Sequence, residues 1–284
     1  MRIAALTFVL NESVNLPIWI RHYGGNFGHE NLFVVDRGSD DGSTDDLGRI
    51  NKIKVPRTEF DEHQKTGFLL SVHRGLLEYY DAVVYTDCDE IIVPDPARYA
   101  GLRQYIETRD FEYATCVGLN IHHVLTAEPP LDFSKPILSQ RKFAVFRVAT
   151  CKTAISRVPI NWLPGFHVAD KPPRIDPELF LFHTRFMNYT TSIERHMFYM
   201  QIEWSERSLA ENFGAHARYS LERFVRESFL DPINLVTTGR VESFDFSSEI
   251  GQIQQSAIER NGFYGSPLAL AKIVEIPERF SLSL

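Results

Sequence analysis

The fold of this chain is decided by residues 83–94, which read VVYTDCDEIIVP. An apolar strand ends there in three acidic residues, Asp87, Asp89 and Glu90. Acidic side chains disfavour strands, and carboxylates this close repel each other unless a positive charge lies between them. The stretch therefore predicts a buried strand whose end holds carboxylates around a cation.

Upstream of this stretch, two kinds of apolar pattern alternate. Continuous apolar runs predict strands at 3–9, 31–36 and 52–55, and apolar residues at helical spacing predict helices after about residue 13 and over 69–79. Strands separated by helices form βαβ units. The predicted fold is therefore α/β, a Rossmann-like mixed, mostly parallel sheet flanked by helices.

In such sheets, ligands bind beyond the carboxyl ends of the strands. Asn11 and Glu12 follow the first predicted strand, Asp36 ends the second, and Asp87 and Asp89 follow the fourth. We therefore expect these side chains to converge on one crevice.

The pattern is looser after Pro94. Strands are predicted within 112–124, 145–156 and 179–186, and helices from residue 191 to about 230. We therefore expect a first domain over 1–190 that carries the crevice, and a mainly helical C-terminal extension over 191–284 packed on it.

Composition excludes several classes of protein. The formal net charge of −7 argues against binding to nucleic acid. Three scattered cysteines are too few for a disulfide framework or a zinc motif, which favours a cytoplasmic protein. No apolar stretch approaches the roughly 20 residues that span a bilayer. Peripheral attachment to the inner membrane and assembly into a homo-oligomer stay open.

The acidic pair Asp87 and Asp89 suits a hard divalent cation. Two carboxylates at i and i+2 can hold Mg²⁺ or Mn²⁺, which prefer oxygen ligands and leave positions open for phosphates. Alternation along the chain turns Cys88 and Glu90 the other way, so Glu90 is expected to pair with a basic residue. The alternative is a solvated acidic strand end. An EF-hand calcium loop starting at Asp36 fails because position six is not glycine.

Three motifs in order, LNE at 10–12, VVDRGSDDGSTD at 34–45 and YTDCDEIIVP at 85–94, resemble the GT-A glycosyltransferases. The nearest pattern is that of the family-two-like bacterial group. The resemblance covers residues 1–95 well and 96–190 loosely. It implies a GT-A-like fold and a role in bacterial polysaccharide biosynthesis.

The resemblance also implies roles for individual residues. Donor-binding residues are then Asn11, Glu12, Asp36, Ser39 and Asp87, with Asp36 accepting a hydrogen bond from the nucleobase. Metal ligands for Mn²⁺ or Mg²⁺ are then Asp87, Asp89 and His183, with His167 as the other candidate histidine.

Further candidates carry charge. A diphosphate needs positive charge beyond one metal ion, and Lys65, Arg74 and Lys152 are candidates to provide it. An inverting transfer needs a base for the acceptor hydroxyl. The candidate bases are loop carboxylates, in order of preference Asp170, then Asp176, Glu128 and Asp132.

The expected activity is divalent-metal-dependent transfer of a sugar from a nucleoside-diphosphate-sugar, a UDP-, GDP- or dTDP-sugar, to a saccharide or other hydroxyl acceptor. Inversion is favoured, although a retaining mechanism stays open. The alternative is a non-catalytic module that binds a nucleotide or glycan on the same fold. A nucleotidyltransferase is disfavoured because residues 10–17, LNESVNLP, contain neither glycine nor a basic residue.

Overall fold

A computed structural model describes every residue from Met1 to Leu284. It contains a mixed sheet of ten strands and a separate two-stranded ribbon. The strands are β1 (Ile3–Val9), β2 (Leu32–Asp36), β3 (Asn51–Lys54), β4 (Ala82–Tyr85), β5 (Glu90–Pro94), β6 (Tyr113–His122), β7 (Phe143–Arg147), β8 (Lys152–Ser156), β9 (Ile175–Phe186), β10 (Ile258–Arg260), β11 (Phe263–Gly265) and β12 (Ala271–Glu275). The α-helices are α1 (Asn15–Phe27), α2 (Glu62–Leu77), α3 (Leu102–Thr108), α4 (Tyr189–Tyr199), α5 (Glu206–Ala210), α6 (Leu221–Val225), α7 (Asp231–Thr237) and α8 (Ser247–Ser256).

The sheet has the strand order β12-β7-β6-β8-β4-β1-β2-β3, and β9 links β6 to β5. Strands β1 to β4 pair in parallel, as do β6 and β9, whereas β7, β8 and β12 pair antiparallel to their neighbours. The predicted α/β fold with a mixed sheet flanked by helices is confirmed, and its arrangement fits the GT-A-like expectation.

Both faces of the sheet are covered, which explains why β1 is apolar except for the buried Thr7. Ile3 and Ala5 belong to a core cluster that includes the buried face of α1, while Ala4 and Leu6 belong to a second cluster built with α2. The carboxyl ends of β1, β2 and β4 consequently emerge together at one edge.

The segment 145–156, predicted as one strand, is divided into two strands that run in the same direction, because β7 and β8 both pair antiparallel with β6. A single turn of 3₁₀ helix, Val148–Thr150, separates β7 from β8. Strand β8 then pairs antiparallel with β4, with Val84 opposite Ile155. Its first residue, Lys152, is thereby carried to the carboxyl end of β4.

Residues 191–284 supply most of α4, the helices α5 to α8 and also β12, which pairs with β7 at the edge of the main sheet. Phe244, Phe246 and Phe280 surround Phe180 of β9, with ring centroids 5.1 to 6.3 Å away. The domain boundary at residue 190 stays a prediction, and the two regions share one core.

The helices of the protein are all too short or too polar to cross a membrane.

Candidate functional site

Asp87 lies in the tight turn between β4 and β5, beneath two lysines. Its Oδ1 accepts hydrogen bonds from Lys65 Nζ and from the Tyr85 hydroxyl, each at 3.1 Å. Lys152 Nζ lies 3.7 Å from Oδ2. Lys65 reaches Asp87 from the first turn of α2, and Lys152 from the start of β8. The repulsion expected from the sequence is therefore relieved at Asp87 by two side-chain cations.

Glu90 is the second buried acid of the run. Lys152, with its side chain fully buried, donates to Glu90 Oε2 at 2.6 Å. His183 Nε2 lies 3.0 Å from Glu90 Oε1 because the two residues are direct cross-strand partners of β5 and β9. The backbone N–H of Asp87 also donates to Oε2. Glu90 thus makes contacts that connect the end of β4 with β8 and β9.

Asp89 is held by a different element, helix α4. Arg195 donates from one terminal nitrogen to Asp89 Oδ2 at 2.8 Å, and from Nε to Glu12 Oε1 at 3.0 Å. Glu12 also accepts hydrogen bonds from the Tyr199 hydroxyl and from Asn15. A guanidinium therefore bridges the ends of β1 and β4.

Burial and charge act against each other in this charge cluster, which comprises Glu12, Lys65, Asp87, Asp89, Glu90, Lys152, His183 and Arg195. Burial raises the pKa of Asp87, but the charges of Lys65 and Lys152 bring it below its ordinary value. Burial also acts to raise the pKa of Asp89 and of Glu90, but the charges and hydrogen bonds around them, led by Arg195 for Asp89 and by Lys152 for Glu90, together lower both pKa values. These acids are thus held in their ionised form.

The two lysines also lie against aromatic rings. Lys152 Nζ is 4.7 Å from the centroid of Tyr85, and both amines are about 5.5 Å from the centroid of Phe166, at 5.4 Å for Lys65 and 5.5 Å for Lys152. Contacts of this kind favour a cation that has lost its water. These contacts therefore add to the stabilisation of the two lysine side chains inside the molecule.

Asn11, Ser39 and Asp36 meet at the ends of β1 and β2. Ser39 Oγ accepts from the backbone of Asn11 at 3.0 Å, and Asp36 Oδ1 accepts from the backbone of Ser39 at 2.8 Å. Asp36 Oδ2 accepts from Thr44 and lies 3.3 Å from Lys52 Nζ. Both Asp36 oxygens therefore shape the loop after β2, and a nucleobase contact would have to be made in addition to these bonds.

Arg74, Asp170 and Asp176 are placed away from the charge cluster. Arg74 lies near the far end of α2 and bonds Asn161, and the same asparagine donates to Asp170 at 2.6 Å. Asp176, at the start of β9, accepts from Tyr105 and pairs with Arg109. These three side chains bind neighbouring protein groups and do not reach the charge cluster. Asp176 lies at the opposite end of β9 from His183.

Glu128 and Asp132 both serve their own loop. The two oxygens of Glu128 accept from the backbone N–H groups of Val124 and Lys142 at 2.9 and 2.6 Å. Asp132 is bound by Ser134 and pairs with Lys135. Neither carboxylate is a free base at the charge cluster.

His167 lies at the tip of a hairpin whose strands are joined by the Trp162–Ala169 bridge. The charges that act on it belong to Lys152, Glu90, His183 and Asp87, which places it beside the charge cluster. His183, in contrast, is part of that cluster, and its Nδ1 is buried without a hydrogen-bond partner.

Sequence reasoning missed the contribution of the C-terminal region to this site. Arg195 and Tyr199 come from a helix that the apolar stripe of Met197 and Met200 marks as a core helix, yet both methionines are about half exposed. His216 also lies within reach of the charges of Arg195 and Asp89. The Glu12–Arg195 pair, 183 positions apart, has no local signal.

The acidic run alone does not gather three protein ligands for a metal ion. No group of three or more His, Cys, Asp or Glu side chains lies close enough together to hold a metal ion. Oxygens of Asp87 and Asp89 already bind Lys65 and Arg195. A divalent cation at Asp89 would have to compete with the guanidinium of Arg195.

Two cavities open at this edge of the sheet. The larger, of about 460 Å³, lies between the ends of β1 and β2 and the last turn of α4, and we call it the base cavity. Its walls are Leu10, Arg37, Arg57, Thr58, Glu59, Phe198, Gln201, Ile202 and Glu203. The smaller, of about 180 Å³, lies between the starts of α1 and α4 and the end of β9, and we call it the polar cavity.

No protein-family model matches the chain, and no curated protein matches it. Among solved structures, a mannosyltransferase from Pyrobaculum calidifontis in complex with GDP-Man and Mn²⁺ is 19% identical, over 43% of this chain and 35% of that chain, with a TM-score of 0.27. Mannose-1-phosphate geranyltransferase from Thermus thermophilus is 11% identical over 81% and 71% of the two chains, with a TM-score of 0.32.

A third solved structure, CMP:2-keto-3-deoxy-manno-octonic acid synthetase in complex with CTP, is 12% identical over 76% of this chain and 85% of that chain, with a TM-score of 0.27. The alignment with the mannosyltransferase spans only about a third of its length, at 35%. The identities and TM-scores of these similarities are too low to assign an activity to the chain.

Proposed function

We propose that the protein is a glycosyltransferase that moves a sugar from a nucleoside-diphosphate-sugar to an acceptor hydroxyl. The observation that carries this proposal is the charge cluster itself, which gathers Asp87, Asp89 and Glu90 with Lys65, Lys152 and Arg195 at the carboxyl end of β4. Sheets of this class bind ligands at that end. The base cavity beside it supports a nucleotide-bearing ligand.

The base cavity has the size of a small-molecule site. Leu10, Phe198 and Ile202 offer apolar walls on which a nucleobase can pack, and Glu59 and Glu203 offer hydrogen-bond acceptors. We assign it to the nucleoside, with the diphosphate directed toward Asp87 and Asp89. The loop after β2, which is held by Asp36, then fixes the shape of the edge of the base cavity.

In the proposed reaction, the acceptor oxygen forms a bond to the anomeric carbon of the sugar, and the bond from that carbon to the diphosphate oxygen breaks. The acceptor proton passes to a base, and the nucleoside diphosphate leaves with the bonding electrons. Preorganised cations in a water-poor site stabilise such developing charge. Lys65 and Lys152, held by buried carboxylates, are fixed in position before the donor arrives.

The balance of charge bears on the metal requirement. Four carboxylates of the charge cluster, Glu12, Asp87, Asp89 and Glu90, face three permanent cations, Lys65, Lys152 and Arg195. A diphosphate entering a cluster with one surplus negative charge requires further positive charge. We propose that Mn²⁺ or Mg²⁺ supplies part of that positive charge. We also propose that the transfer inverts the configuration of the anomeric carbon.

The proposal is tested by incubating the purified protein with a panel of nucleotide-sugars and measuring release of nucleoside diphosphate, with and without Mn²⁺. Asp89→Asn removes one carboxylate of the charge cluster, and Asp110→Asn, an exposed aspartate without an ion pair, is the matched control. We expect release at least tenfold slower for Asp89→Asn and unchanged for the control. Release that resists both chelator and Asp89→Asn would contradict the metal and site assignments.

The second candidate function is a non-catalytic module that binds a nucleotide or glycan. It is favoured by one observation, namely that Asp170, Asp176 and Glu128 are all committed to structural bonds away from the charge cluster. Nucleotide binding measured by calorimetry, with no product released from any donor tested, would favour the module over the enzyme.

A further inference from the structure

Arg185, at the end of β9, is the cation of this region without a partner. Its guanidinium makes no hydrogen bond and no ion pair, and its nearest aromatic neighbour is Phe186, with the ring centroid 5.6 Å from Cζ. The side chain is only partly exposed. An arginine carries five N–H donors, and those of Arg185 face solvent, where a ligand can replace water as their partner.

The cations of the charge cluster contrast with Arg185. Lys65 is committed to Asp87, Lys152 to Glu90, and Arg195 to both Glu12 and Asp89. Arg74, which was the remaining candidate counter-charge, points to Asn161 at the other end of α2. Arg185 is therefore the guanidinium at this edge that remains free to bind an anion.

The polar cavity lies directly against Arg185. Ten of its thirteen lining residues are polar or charged, among them Ser13, Asn11 and Thr191. Glu12, also in the lining, is already bound by Arg195, and Glu194 is exposed to solvent. The volume of about 180 Å³ equals roughly six water molecules at ~30 Å³ each, which is enough for a hydrated phosphate group.

The start of α1 forms another part of the cavity wall. Helix α1 spans 13 residues, and Val14 at its start provides no side-chain hydrogen bond to the first N–H groups. The N–H of Leu16 already donates to the Glu12 carbonyl and Pro17 has no N–H, so the helix dipole is what favours an anion at this position. Arg185 and this dipole favour an anion in the cavity, and the carboxylates of Glu12 and Glu194 in its lining oppose one.

Arg195 repels Arg185, whereas the charges of Asp89 and Glu12 attract it. Burial lowers the pKa of Arg185, and the charge of Arg195 lowers it further. The charges acting on His216 also include those of Arg185 and Arg195. An anion between these groups would relieve this repulsion, just as Lys65 and Lys152 relieve the repulsion between the acids of the charge cluster.

We propose that Arg185 and the polar cavity form a binding site for a phosphate group. The inference rests on the proposed function in one respect, because the phosphate belongs either to the diphosphate of the donor or to a phosphorylated acceptor. Both sources present the same chemistry, a tetrahedral dianionic or monoanionic group that accepts paired hydrogen bonds from a guanidinium.

The test measures binding of pyrophosphate to the full-length protein by titration calorimetry. Arg185→Gln removes the charge, Arg185→Lys keeps the charge but loses the paired geometry, and Arg98→Gln is a surface arginine control at the far end of β9. We expect Arg185→Gln to weaken pyrophosphate binding at least tenfold, Arg185→Lys to weaken it less, and Arg98→Gln to leave it unchanged. Because Arg185 makes no hydrogen bond, both Arg185 variants should keep the wild-type melting temperature.

Further titrations distinguish the source of the phosphate. Nucleosides and the matching nucleoside diphosphates are compared in wild type and Arg185→Gln, and a sugar phosphate is titrated beside them. If the phosphate is the donor's, the variant loses affinity for the diphosphate and keeps its affinity for the nucleoside. If it is the acceptor's, nucleoside diphosphate binding is unchanged and sugar phosphate binding falls.

Pyrophosphate binding that is absent in wild type, or equal in wild type and Arg185→Gln, would overturn the inference. That result is separable from failure of the proposed function. If the protein transfers sugar but pyrophosphate binding does not depend on Arg185, only the phosphate site is contradicted. If pyrophosphate binding depends on Arg185 but no sugar is transferred, only the glycosyltransferase assignment is contradicted.

Discussion

At the scale of single residues, Lys152 is the side chain on which the charge cluster depends most. It is fully buried, it binds Glu90, and it lies 3.7 Å from Asp87. A buried ion pair contributes little net stability over an apolar pair, but removing one partner leaves an uncompensated charge in the interior. The lysine is therefore required by the acids around it.

We predict that Lys152→Met lowers the free energy of unfolding by about 3–5 kcal/mol. The loss arises because Glu90 would remain buried with only His183 and a backbone N–H as partners. Chemical denaturation measures it. Lys135→Met, which breaks an exposed pair with Asp132, is the control and should change stability by no more than about 0.5 kcal/mol. A loss below 1 kcal/mol for Lys152→Met would contradict the prediction.

The acids also predict how stability varies with pH. Asp87, Asp89 and Glu90 have native pKa values below their ordinary ones, so the unfolded chain takes up their protons first as pH falls. The stabilisation is complete above the unfolded values of about 4 and is lost as pH falls through the lowered native values. The free energy of unfolding should therefore decrease steeply below about pH 4.

Asp89→Asn tests whether Asp89 contributes to this loss of unfolding free energy at low pH. Removing one such group should reduce the slope of unfolding free energy against pH by up to about 1.4 kcal/mol per pH unit below pH 4. Denaturant titrations between pH 3 and pH 7 measure the slope. Asp110→Asn should keep the wild-type slope, and an unchanged slope in Asp89→Asn would show that Asp89 is not stabilised by Arg195.

The sequence indicates which acids stand at the strand ends, but it does not indicate what neutralises them. Asp87 and Asp89 follow an apolar run, so their position at the end of β4 is a local property. Their partners Lys152 and Arg195 arrive on a strand and a helix that lie 65 and 106 positions away. Long-range pairs of this kind leave no periodic pattern in the chain.

At the scale of elements, the direction of α2 decides which of its basic residues reaches the charge cluster. Lys65 lies in the first turn, whereas Arg74 lies nine residues later, about 13 Å along the helix at 1.5 Å per residue. The side chain of Asp61 accepts from the backbone of His63 and Gln64 and begins the helix. The position at which α2 begins therefore decides which of its basic side chains reaches the charge cluster. The presence of a basic residue in the sequence does not by itself predict that contact.

Two glycines test the packing of these elements. A Cβ at Gly118 of β6 would lie 2.2 Å from the backbone carbonyl of Thr150, in the turn that delivers β8. A Cβ at Gly67 of α2 would meet no atom within 4 Å. Gly118→Ala should destabilise the protein by about 1–3 kcal/mol, and Gly67→Ala should stabilise it by up to about 1 kcal/mol. Thermal and chemical unfolding measure both, and equal effects would contradict the close contact at Thr150.

At the scale of the whole molecule, the C-terminal region completes both the core and the charge cluster. Phe280 is fully buried against Phe180 and Phe182, and Arg195 holds Glu12 and Asp89. The α/β class was predictable because the alternation of strands and helices is local in the sequence. The return of β12 to the sheet was not, since its five residues resemble any short polar-apolar segment.

We predict that a fragment ending at residue 190 does not fold cooperatively. It would expose Phe180 and Phe182 and would leave Glu12 and Asp89 without Arg195. Circular dichroism during denaturation, compared with the full chain, measures this. A sharp unfolding transition in the fragment would instead support an independent domain over 1–190.

The bridge from Arg195 to Glu12 and Asp89 has a consequence for biosynthesis. A ribosome makes the chain from its N-terminus, so the acids between residues 12 and 90 emerge well before Lys152 and Arg195. Until those cations appear, Lys65 is the one cation of the charge cluster already made, so only water or mobile ions can neutralise Glu12, Asp89 and Glu90. The charge cluster is therefore completed late in translation. A ribosome that stalls before residue 195 would leave a chain in which counter-ions take the place of Arg195 beside Glu12 and Asp89.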